Sequence, residues 1–253
     1  MRKGLLIALA LGLAAAPASA SAIRPEPSLS EGSLSLKKTT LAISYNPHHK
    51  QADWVFYPLG PDQLRNCVNR AKNFRADESL TRETRAELSD YAGSGYDRGH
   101  LSPAADNKFS GAAMSESFLL SNISPQPPGF NQGIWARLEN LVRAWALKFG
   151  GLYVATGPVL KNHLPVIGRG RVSVPEAYYK VLVTQDESRA LALLLPVNAS
   201  GDLQAYVTTV DEVERLTGTD FNRGVRNEEK LESETHPDDW NFRASYQPLP
   251  CQR

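Results

Sequence analysis

The sequence has almost no net charge, so it lacks the overall basic excess that marks many proteins binding a polyanion. Its formal net charge is +1 at pH 7, and removal of Arg2 and Lys3 with an N-terminal leader gives 1 − 2 = −1. The bases concentrate between Arg65 and Arg98, whereas acids concentrate near the C-terminus. This distribution is compatible with a basic patch on one face, and also with an ordinary mixed surface, because acids interleave with those bases.

Long hydrophobic runs are missing after residue 16, so nothing later in the sequence is predicted to cross a membrane. The one apolar run, Gly4 to Ala16, follows two basic residues and precedes Ala18-Ser19-Ala20, as in a secretory signal peptide. A second cleavage site two residues later fits nearly as well, and a buried helix is the structural alternative. We predict a signal peptide at residues 1–20 and an exported protein, periplasmic or extracellular, without stable membrane association.

Cysteine is nearly absent, and Cys67 and Cys251 are the only pair that the chain offers. Export places this pair in an oxidising compartment, where we expect a disulfide that ties the last residues to the first third of the domain. Two separate buried thiols are the alternative interpretation.

Two common hydrolase motifs are also absent. There is no Gly-x-Ser-x-Gly sequence, which excludes the usual serine hydrolase arrangement, and Gly93-Ser94-Gly95 is instead typical of a turn. No closely spaced His-x-x-x-His pair exists, so a zinc hydrolase built on Asp97, His100 and another histidine is a minor hypothesis. The adjacent histidines His48 and His49 would face opposite sides of a strand, which argues against a shared metal ion.

What is present indicates one globular α+β domain with an antiparallel sheet. Hydrophobic residues make up 42% of the chain and charged residues 22%. Residues 21–38 are polar and proline-containing and are predicted to be a flexible arm, which leaves residues 39–253 as a single domain. Strands are predicted at Thr39–Tyr45, Trp54–Tyr57, Leu152–Thr156, Val172–Val174, Tyr178–Thr184 and Ala190–Val197. Helices are predicted at Gln132–Lys148 and Val210–Thr217, with shorter ones within Pro61–Lys72 and Phe74–Ser94.

The segment from Asp97 to Glu139 carries the residue types that phosphodiester hydrolysis requires. His100 is the candidate general base, because a neutral imidazole accepts a proton near pH 7. Gly99 beside it is expected to leave room for a substrate backbone. Arg98 shares the face of His100 in a strand and is suited to bidentate phosphate contacts, unless it pairs with Asp97 or another acid.

Three further polar residues follow on the chain. Asn131 projects into the apolar stripe of the predicted helix, where its carbonyl oxygen is suited to a mostly hydrated Mg²⁺; capping the helix is the alternative role. Glu139 lies about two turns further on and would accept hydrogen bonds from waters on the metal, or would be an ordinary exposed glutamate. Asn122 lies in a short segment expected beside His100.

These motifs resemble the DNA/RNA non-specific endonucleases, a family of ββα-metal nucleases that includes mitochondrial endonuclease G and secreted sugar-non-specific nucleases. The resemblance runs from about Thr39 to Leu216. The matching segments are Asp97-Arg98-Gly99-His100-Leu101-Ser102-Pro103-Ala104, Ser121-Asn122-Ile123-Ser124-Pro125-Gln126, Asn131-Gln132-Gly133-Ile134-Trp135-Ala136-Arg137-Leu138-Glu139, Ala155-Thr156-Gly157-Pro158 and Val174-Pro175-Glu176-Ala177-Tyr178-Tyr179-Lys180.

The resemblance implies a ββα-metal nuclease fold with the metal-site helix packed on the antiparallel sheet. It also implies an endonuclease that cleaves DNA and RNA with Mg²⁺, or with Mn²⁺ in its place, and leaves 5′-phosphates. The implied roles are His100 as proton acceptor and Asn131 as the direct metal ligand. Arg98 would stabilise the transition state, Glu139 would orient metal waters and Asn122 would support the site.

One departure from the family pattern concerns the second phosphate contact. The family often has arginine before an Asn-aromatic pair, whereas this sequence has Lys72 there, and lysine lacks the planar fork of arginine. Arg75 is another candidate for this contact. A nucleic-acid-binding protein without activity on the same fold is the rival hypothesis, which intact His100 and Asn131 argue against.

Overall fold

The structure is a computed structural model that describes residues 26–221 and 237–251. The predicted signal peptide lies outside the described residues, so it stays a prediction. Within the described part of the chain, no helix is both long enough and apolar enough to cross a membrane.

Most strands and helices are short, and the longest are the central strands of the large sheet and one helix, α3 at Ala136–Lys148. The strands are β1 Leu34–Lys37, β2 Ala42–Asn46, β3 Gln51–Leu59, β4 Arg65–Asn66, β5 Asp97–His100, β6 Ile123–Gln126, β7 Leu152–Pro158, β8 Val166–Ile167, β9 Val172–Ser173, β10 Ala177–Thr184, β11 Ala190–Pro196, β12 Val207–Thr208 and β13 Leu249–Pro250. The α-helices are α1 Leu88–Tyr91, α2 Gly111–Glu116, α3 Ala136–Lys148 and α4 Val210–Thr217. A π-turn occupies Phe130–Trp135, and 3₁₀ turns occupy Ala104–Asn107, Leu120–Asn122, Leu203–Tyr206 and Pro237–Asp239.

A seven-stranded antiparallel sheet in the order β1-β2-β3-β7-β10-β11-β12 is the frame of the fold. Its central strand β7 is buried along its whole length, because helices cover both faces of the sheet. On one face, Leu138, Val142 and Trp145 of α3 pack against the sheet. On the other face, Val210 and Val213 of α4 do so. This architecture confirms the α+β prediction.

The two best-patterned helices lie where the sequence places them. The apolar stripe of Gln132–Lys148 forms α3 from Ala136 onward, and the chain turns at Gly150, whose φ of 76° is unfavourable for other residues. Helix α4 has the predicted bounds. The Thr209 side chain caps it by accepting from the Glu212 amide, and it ends at Gly218 in the left-handed conformation.

Two local predictions are wrong because tertiary contacts override local sequence preference. Leu34–Lys37, predicted as part of the flexible arm, forms edge strand β1, in which Leu36 is buried. No helix forms between Pro61 and Lys72, since the amides of Cys67 and Val68 both donate to the carbonyl of Lys108. The prediction of a short helix within Phe74–Ser94 is confirmed, since the four-residue helix α1 lies there.

The C-terminal segment is attached to the domain by covalent and aromatic contacts. Cys67 and Cys251 form the predicted disulfide, beside the parallel pairing of β4 with β13. Trp240 and Phe242 each lie 5.2 Å from Trp145, measured between ring centroids, so the C-terminal aromatic residues pack against α3.

The hairpin formed by β5 and β6 is separate from the large sheet but is fastened to it by buried hydrogen bonds. Ser124 of β6 donates to Gln51 of β3 and lies 2.7 Å from the hydroxyl of Tyr178 in β10. The Tyr178 hydroxyl also donates to the carbonyl of Pro125. The hairpin and the helix that follows it are therefore held in fixed positions relative to one another.

Candidate active site

The β5–β6 hairpin holds the central motif. Asp97 pairs with Gln126, Gly99 with Ser124 and His100 with Ile123. A Cβ atom at Gly99 would overlap the side-chain amide of Gln126, so glycine is required there by the close approach of that amide. The space beside Gly99 is thus filled by protein, and the expectation that it admits a substrate backbone is wrong.

His100 lies in an aromatic cage. Its side chain is buried, with ring centroids 5.3 Å from Phe74 and 4.9 Å from Phe118. Its Nε2 atom has no hydrogen-bond partner. Burial, and then the positive charges of Arg70 and Arg98, lower the pKa of His100 to about 3. In the free protein the imidazole is therefore neutral and able to accept a proton.

Two arginines lie over the rings of this cage. The Arg98 guanidinium lies 4.3 Å from the centroid of Phe74, and the Arg70 guanidinium lies 5.1 Å from that of Phe118. Both are exposed side chains, and within residues 26–221 and 237–251 neither makes an ion pair. The alternative in which Arg98 pairs with Asp97 is therefore wrong, and both guanidinium groups keep their donors for a ligand.

Sequence reasoning missed Arg70 as a candidate for the second phosphate contact. The two candidates that it named, Lys72 and Arg75, do not lie over the rings of the cage. Lys72 is exposed and makes no ion pair or side-chain hydrogen bond to the described residues. Arg75 donates from Nη1 to the carbonyls of Asn73 and Ser115, at 3.3 and 2.8 Å, and so braces the local backbone. Arg70 alone of the three acts electrostatically on both His100 and Glu139. The sequence signal that could have identified Arg70 is its position four residues before Phe74.

Asn131 lies in the π-turn that precedes α3. Its Nδ2 donates to Oδ2 of Asp97 at 2.8 Å, and the exposed Gln132 donates to the same oxygen. Its Oδ1 accepts no hydrogen bond from the described residues. The projection of Asn131 into the middle of the apolar stripe is wrong, because the π-turn and the non-helical Gly133 break the regular spacing, and Asn131 is half-buried.

Glu139 lies in the first turn of α3 with a half-buried side chain, so it is not an ordinary exposed glutamate. Its carboxylate makes no ion pair or hydrogen bond to the described residues. Burial raises the pKa of this carboxyl, although the positive charges of Lys180, Arg143 and Arg70 oppose the rise. A carboxylate without a protein partner at this position is suited to accept hydrogen bonds from ordered water.

A buried polar network lies behind Glu139. Arg143 donates to Asp106 at 2.8 Å, and the Tyr57 hydroxyl donates to the other oxygen of that carboxylate at 3.0 Å. Lys180 is fully buried, donates to Thr156 and lies 4.6 Å above the ring of Trp135. Burial lowers the pKa of Lys180, and Glu139 and Asp106 oppose this. The network surrounds Glu139 with fixed charges that sequence reasoning did not assign.

Asn122 is completely buried, and its amide is fully used within the protein. Its Nδ2 donates to the carbonyls of Ser102 and Ser117, and its Oδ1 accepts from the amide of Ser102. Its own carbonyl accepts from the amide of Leu101. Asn122 is therefore bonded to the chain that leaves His100, and its fully buried side chain has no exposed surface for a substrate.

The structure places Arg98 and His100 in the β5–β6 hairpin, with Arg70 over the Phe118 ring of the His100 cage. Asn131 lies in the π-turn and Glu139 in the first turn of α3. No group of three or more histidine, cysteine, aspartate or glutamate side chains in the described residues is arranged to hold a metal ion, so the zinc hypothesis lacks its ligands. Two antiparallel strands followed by a helix, with a histidine and an asparagine at the junction, define the class of the ββα-metal nucleases.

Comparisons with known proteins identify the family. The model of the DNA/RNA non-specific endonuclease family matches residues 19–228. Human mitochondrial endonuclease G is 33% identical over 201 residues, which cover 73% of this chain and 68% of that protein. A nuclease of Nostoc sp. is 34% identical, covering 78% of this chain and 76% of its own length. Nuclease C1 of Cunninghamella echinulata is 35% identical, covering 74% and 81%.

A solved structure has the same fold. The crystal structure of the EndoG/EndoGI complex superposes with a TM-score of 0.72 at 28% identity, covering 79% of this chain and 91% of that chain. The chain belongs to the DNA/RNA non-specific endonuclease family of metal-dependent nucleases, and it is a phosphodiester hydrolase.

Proposed function

We propose that this endonuclease hydrolyses both DNA and RNA without sequence specificity, with Mg²⁺ as its cofactor, His100 as general base and Asn131 as the metal ligand. The observation that supports this most directly is the unpartnered Nε2 of a buried, neutral His100 between two arginines that have no acidic partner. Such a group has the proton-accepting capacity that attack by water requires.

The residues present are suited to a hydrated divalent cation. Asp97 holds the nitrogen of the Asn131 amide, which leaves the amide oxygen without a protein partner, and oxygen is the ligand atom that Mg²⁺ prefers. Glu139 adds an unpaired carboxylate that would accept from waters around the ion. When bound, the ion would supply a Lewis acid that polarises the phosphate and neutralises negative charge. Mn²⁺ takes the same ligand types and is expected to substitute.

Substrate binding is expected to strengthen His100 as a base. In the free protein Arg70 and Arg98 disfavour the protonated imidazole. A phosphate bound between these guanidinium groups compensates their charge, and the pKa of His100 then rises toward its ordinary value. His100 takes the proton of the attacking water as the new bond to phosphorus forms. The bond from phosphorus to O3′ breaks, the leaving O3′ takes up a proton from solvent, and the phosphate stays attached to O5′ of the other product.

The absence of sequence specificity follows from what the site residues contact. Arg70 and Arg98 are donors suited to phosphate oxygens, and phosphate contacts carry no information about the base. The roles proposed for the general base, the metal ligand, the carboxylate and the two arginines do not require a 2′-hydroxyl. Both DNA and RNA are therefore expected as substrates.

We further propose that the protein acts outside the cytoplasm, in the periplasm or the extracellular medium. The Cys67–Cys251 disulfide supports this location, because disulfides persist in oxidising compartments. Mass spectrometry of protein recovered from the medium or periplasm tests it. The expected N-terminal residue is Ser21, and an intact Met1 on such material would contradict the proposal.

The activity is tested by cleavage of a supercoiled plasmid and of a single-stranded RNA, each with Mg²⁺ and with EDTA. The expected result is cleavage of both substrates that EDTA abolishes and added Mg²⁺ or Mn²⁺ restores. Binding of nucleic acid without cleavage would favour the inactive binding protein. Cleavage that persists in EDTA would remove the metal from the proposal.

The role of His100 is tested by His100→Gly with added imidazole. The variant should lose at least about 10²-fold in rate, which is the usual contribution of a general base. Free imidazole should enter the emptied cage and restore part of the rate, in proportion to its neutral form as pH rises. His48→Gly is the matched control, because His48 is an exposed histidine outside the site and its loss should not create a response to imidazole. A folded, fully active His100→Gly protein would remove His100 from the mechanism.

A further inference from the structure

A second cationic surface lies at the β8–β9 hairpin and shares no lining residue with the site around His100. It is a cleft of about 780 Å³, referred to below as the hairpin cleft. Three permanent cations line it, together with three histidines: Lys50, Arg169, Arg171, His48, His49 and His163. No acidic side chain lines the hairpin cleft.

The cations of this cleft have no directly bonded acidic partner among the described residues. In the parts of the chain that the structure describes, the side chains of Lys50, Arg169 and Arg171 make neither an ion pair nor a hydrogen bond. Of the neighbouring acids, Asp90 is buried and already accepts from the amides of Gly170 and Glu87. The exposed Glu83 interacts electrostatically with Lys50 but forms no ion pair with it. The cations are therefore left to a ligand from outside the chain.

The two walls of the hairpin cleft are fastened to each other. The Ser173 amide donates to the carbonyl of His49, and the ring of His49 lies 2.8 Å from the Ser173 hydroxyl. The side chain of Gln51 donates to the carbonyl of Ser173 at 2.7 Å. The cleft is thus preorganised, which reduces the ordering cost of binding a ligand.

Unfavourable backbone conformations concentrate in the same walls. Lys50, His163 and Arg171 have φ angles of 54°, 65° and 60°, and they are three of the four residues other than glycine with positive φ in the described chain. Such conformations are uncommon for these residue types and cluster where function retains them. Glycine at these positions would relieve the strain but would remove the charge and the imidazole.

The ligand chemistry follows from the donors. The histidines of this cleft are not arranged with other ligands to hold a metal ion. Guanidinium and ammonium groups without acidic partners are instead suited to phosphate oxygens. We propose that the hairpin cleft is a second binding site for the phosphodiester backbone of a nucleic-acid strand, distinct from the site of cleavage. This inference rests on the proposed function, since the strand is the substrate of the enzyme.

The position of the hairpin cleft is fixed relative to the β5–β6 hairpin that carries His100. Ile167 of β8 and Val172 of β9 share one apolar cluster with Ile123, and Ile123 pairs with His100 across the β5–β6 hairpin. A long strand is therefore held at two places on one rigid body. A dinucleotide, which has a single phosphodiester, is held only at the site of cleavage.

The test compares the salt dependence of strand binding. The triple variant Lys50→Gln, Arg169→Gln and Arg171→Gln is made in a His100→Ala background, so that a single strand about 20 nucleotides long is bound without being cut. Each lost phosphate contact lowers the slope of log K against log salt concentration by about 0.7, so the triple variant should lose about two units of slope. Binding of a dinucleotide should not change.

A matched control removes three exposed charges elsewhere, with Lys37→Gln, Arg215→Gln and Arg243→Gln in the same background. This control should keep the parental slope. Arg169→Glu is the second variant, and its reversed charge should weaken strand binding further than Arg169→Gln. Thermal unfolding of each protein verifies that the fold is retained.

Inorganic phosphate distinguishes a strand site from a site for free phosphate. The strand should displace phosphate from the cleft, as followed by the NMR amide shift of Gly170. Two results would overturn the second site: an unchanged slope in the folded triple variant, or phosphate that the strand does not displace. In either case, plasmid cleavage by the parent would still support the proposed function. A parent protein that neither binds nor cleaves a strand overturns both.

Discussion

The Oδ2 atom of Asp97 accepts a hydrogen bond of 2.8 Å from Nδ2 of Asn131. The two residues are 34 positions apart, one at the start of β5 and the other in the π-turn before α3. Because the amide nitrogen is held by the carboxylate, the amide oxygen is directed away from Asp97. The first residue of the central motif thus sets the orientation of the proposed metal ligand.

Replacement of Asp97 should weaken the response to Mg²⁺. Asp97→Ala removes the acceptor that orients Asn131, and losses of outer partners of this kind cost about 10–100-fold in metal affinity or activity. Asp97→Asn retains an amide oxygen as acceptor and should lose less. The measurement is the Mg²⁺ concentration that gives half-maximal cleavage. The same half-maximal concentration in Asp97→Ala and the parent would show that the orientation of Asn131 does not depend on Asp97.

Asn131→Ala should remove activity without unfolding the protein. Its side chain is half-buried and its one described hydrogen bond is to Asp97, so the fold loses little when it is removed. Gln132→Ala is the matched control, since Gln132 donates to the same carboxylate oxygen from an exposed position. The control should keep most of the activity. Near-parental cleavage by Asn131→Ala at low Mg²⁺ would show that another group holds the ion.

The arrangement of Arg98 and His100 is predictable from the sequence because the motif that holds them is contiguous. Arg98 and His100 share a face in a four-residue strand, and that geometry follows from period-two alternation alone. The helix after Asn131 is predictable from its apolar stripe. The π-turn is not, since a single non-helical residue, Gly133, shifts the spacing of everything before it.

Arg70 and the network behind Glu139 are less predictable because they depend on distant parts of the chain. Arg70 lies in a segment without helix, where backbone bonds to Lys108 and the disulfide to Cys251 determine the path. The pair of Arg143 and Asp106 joins residues 37 positions apart. Local propensity carries no information on such contacts, so only the folded structure assigns them.

Acid should destabilise the parent protein through His100. An unfolded histidine has a pKa of about 6.5, whereas burial and the two arginines lower the folded pKa of His100 to about 3. Between these pH values the unfolded chain binds the extra proton, so this contribution to stability is complete above pH 6.5 and falls as pH decreases, by about 1.4 kcal/mol per unit.

The measurement is the free energy of unfolding between pH 6.5 and 4 for the parent and His100→Gln. The difference between the two proteins should change by about 1.4 kcal/mol per pH unit, because the variant lacks the titrating group. His48→Gln replaces an exposed histidine and should keep the parental pH dependence. Parallel curves for the parent and His100→Gln would show that His100 titrates alike in the folded and unfolded states.

Removal of the disulfide should lower stability. The bond between Cys67 and Cys251 joins residues 184 positions apart, and constraining so long a loop stabilises a fold by about 2–4 kcal/mol. The comparison is denaturant unfolding of the oxidised parent against the double variant Cys67→Ser and Cys251→Ser. Equal free energies of unfolding, or two titratable thiols in the unreduced parent, would contradict the expected stabilisation.

The choice between Arg70 and Lys72 as second phosphate contact gives the sharpest test of the site geometry. Arg70 lies over Phe118 in the cage of His100, whereas Lys72 is exposed and has no partner among the described residues. Arg70→Gln should therefore lower kcat/KM by about 10²-fold, which corresponds to the loss of one charge-assisted contact in the transition state. Lys72→Gln should change kcat/KM by less than about twofold, as expected of an exposed substitution.

The same pair of variants reports on His100 without any substrate. Arg70 is the larger of the two charge effects that lower the pKa of His100, after burial itself. Arg70→Gln should raise this pKa in the free protein, as read from the NMR titration of the imidazole, and Lys72→Gln should leave the titration unchanged. A merely structural role for Arg70 would lower activity through lost packing yet predict no rise of the pKa. An Arg70→Gln protein that is slow in cleavage but has the parental His100 titration would therefore separate the arginine from the electrostatics of the base.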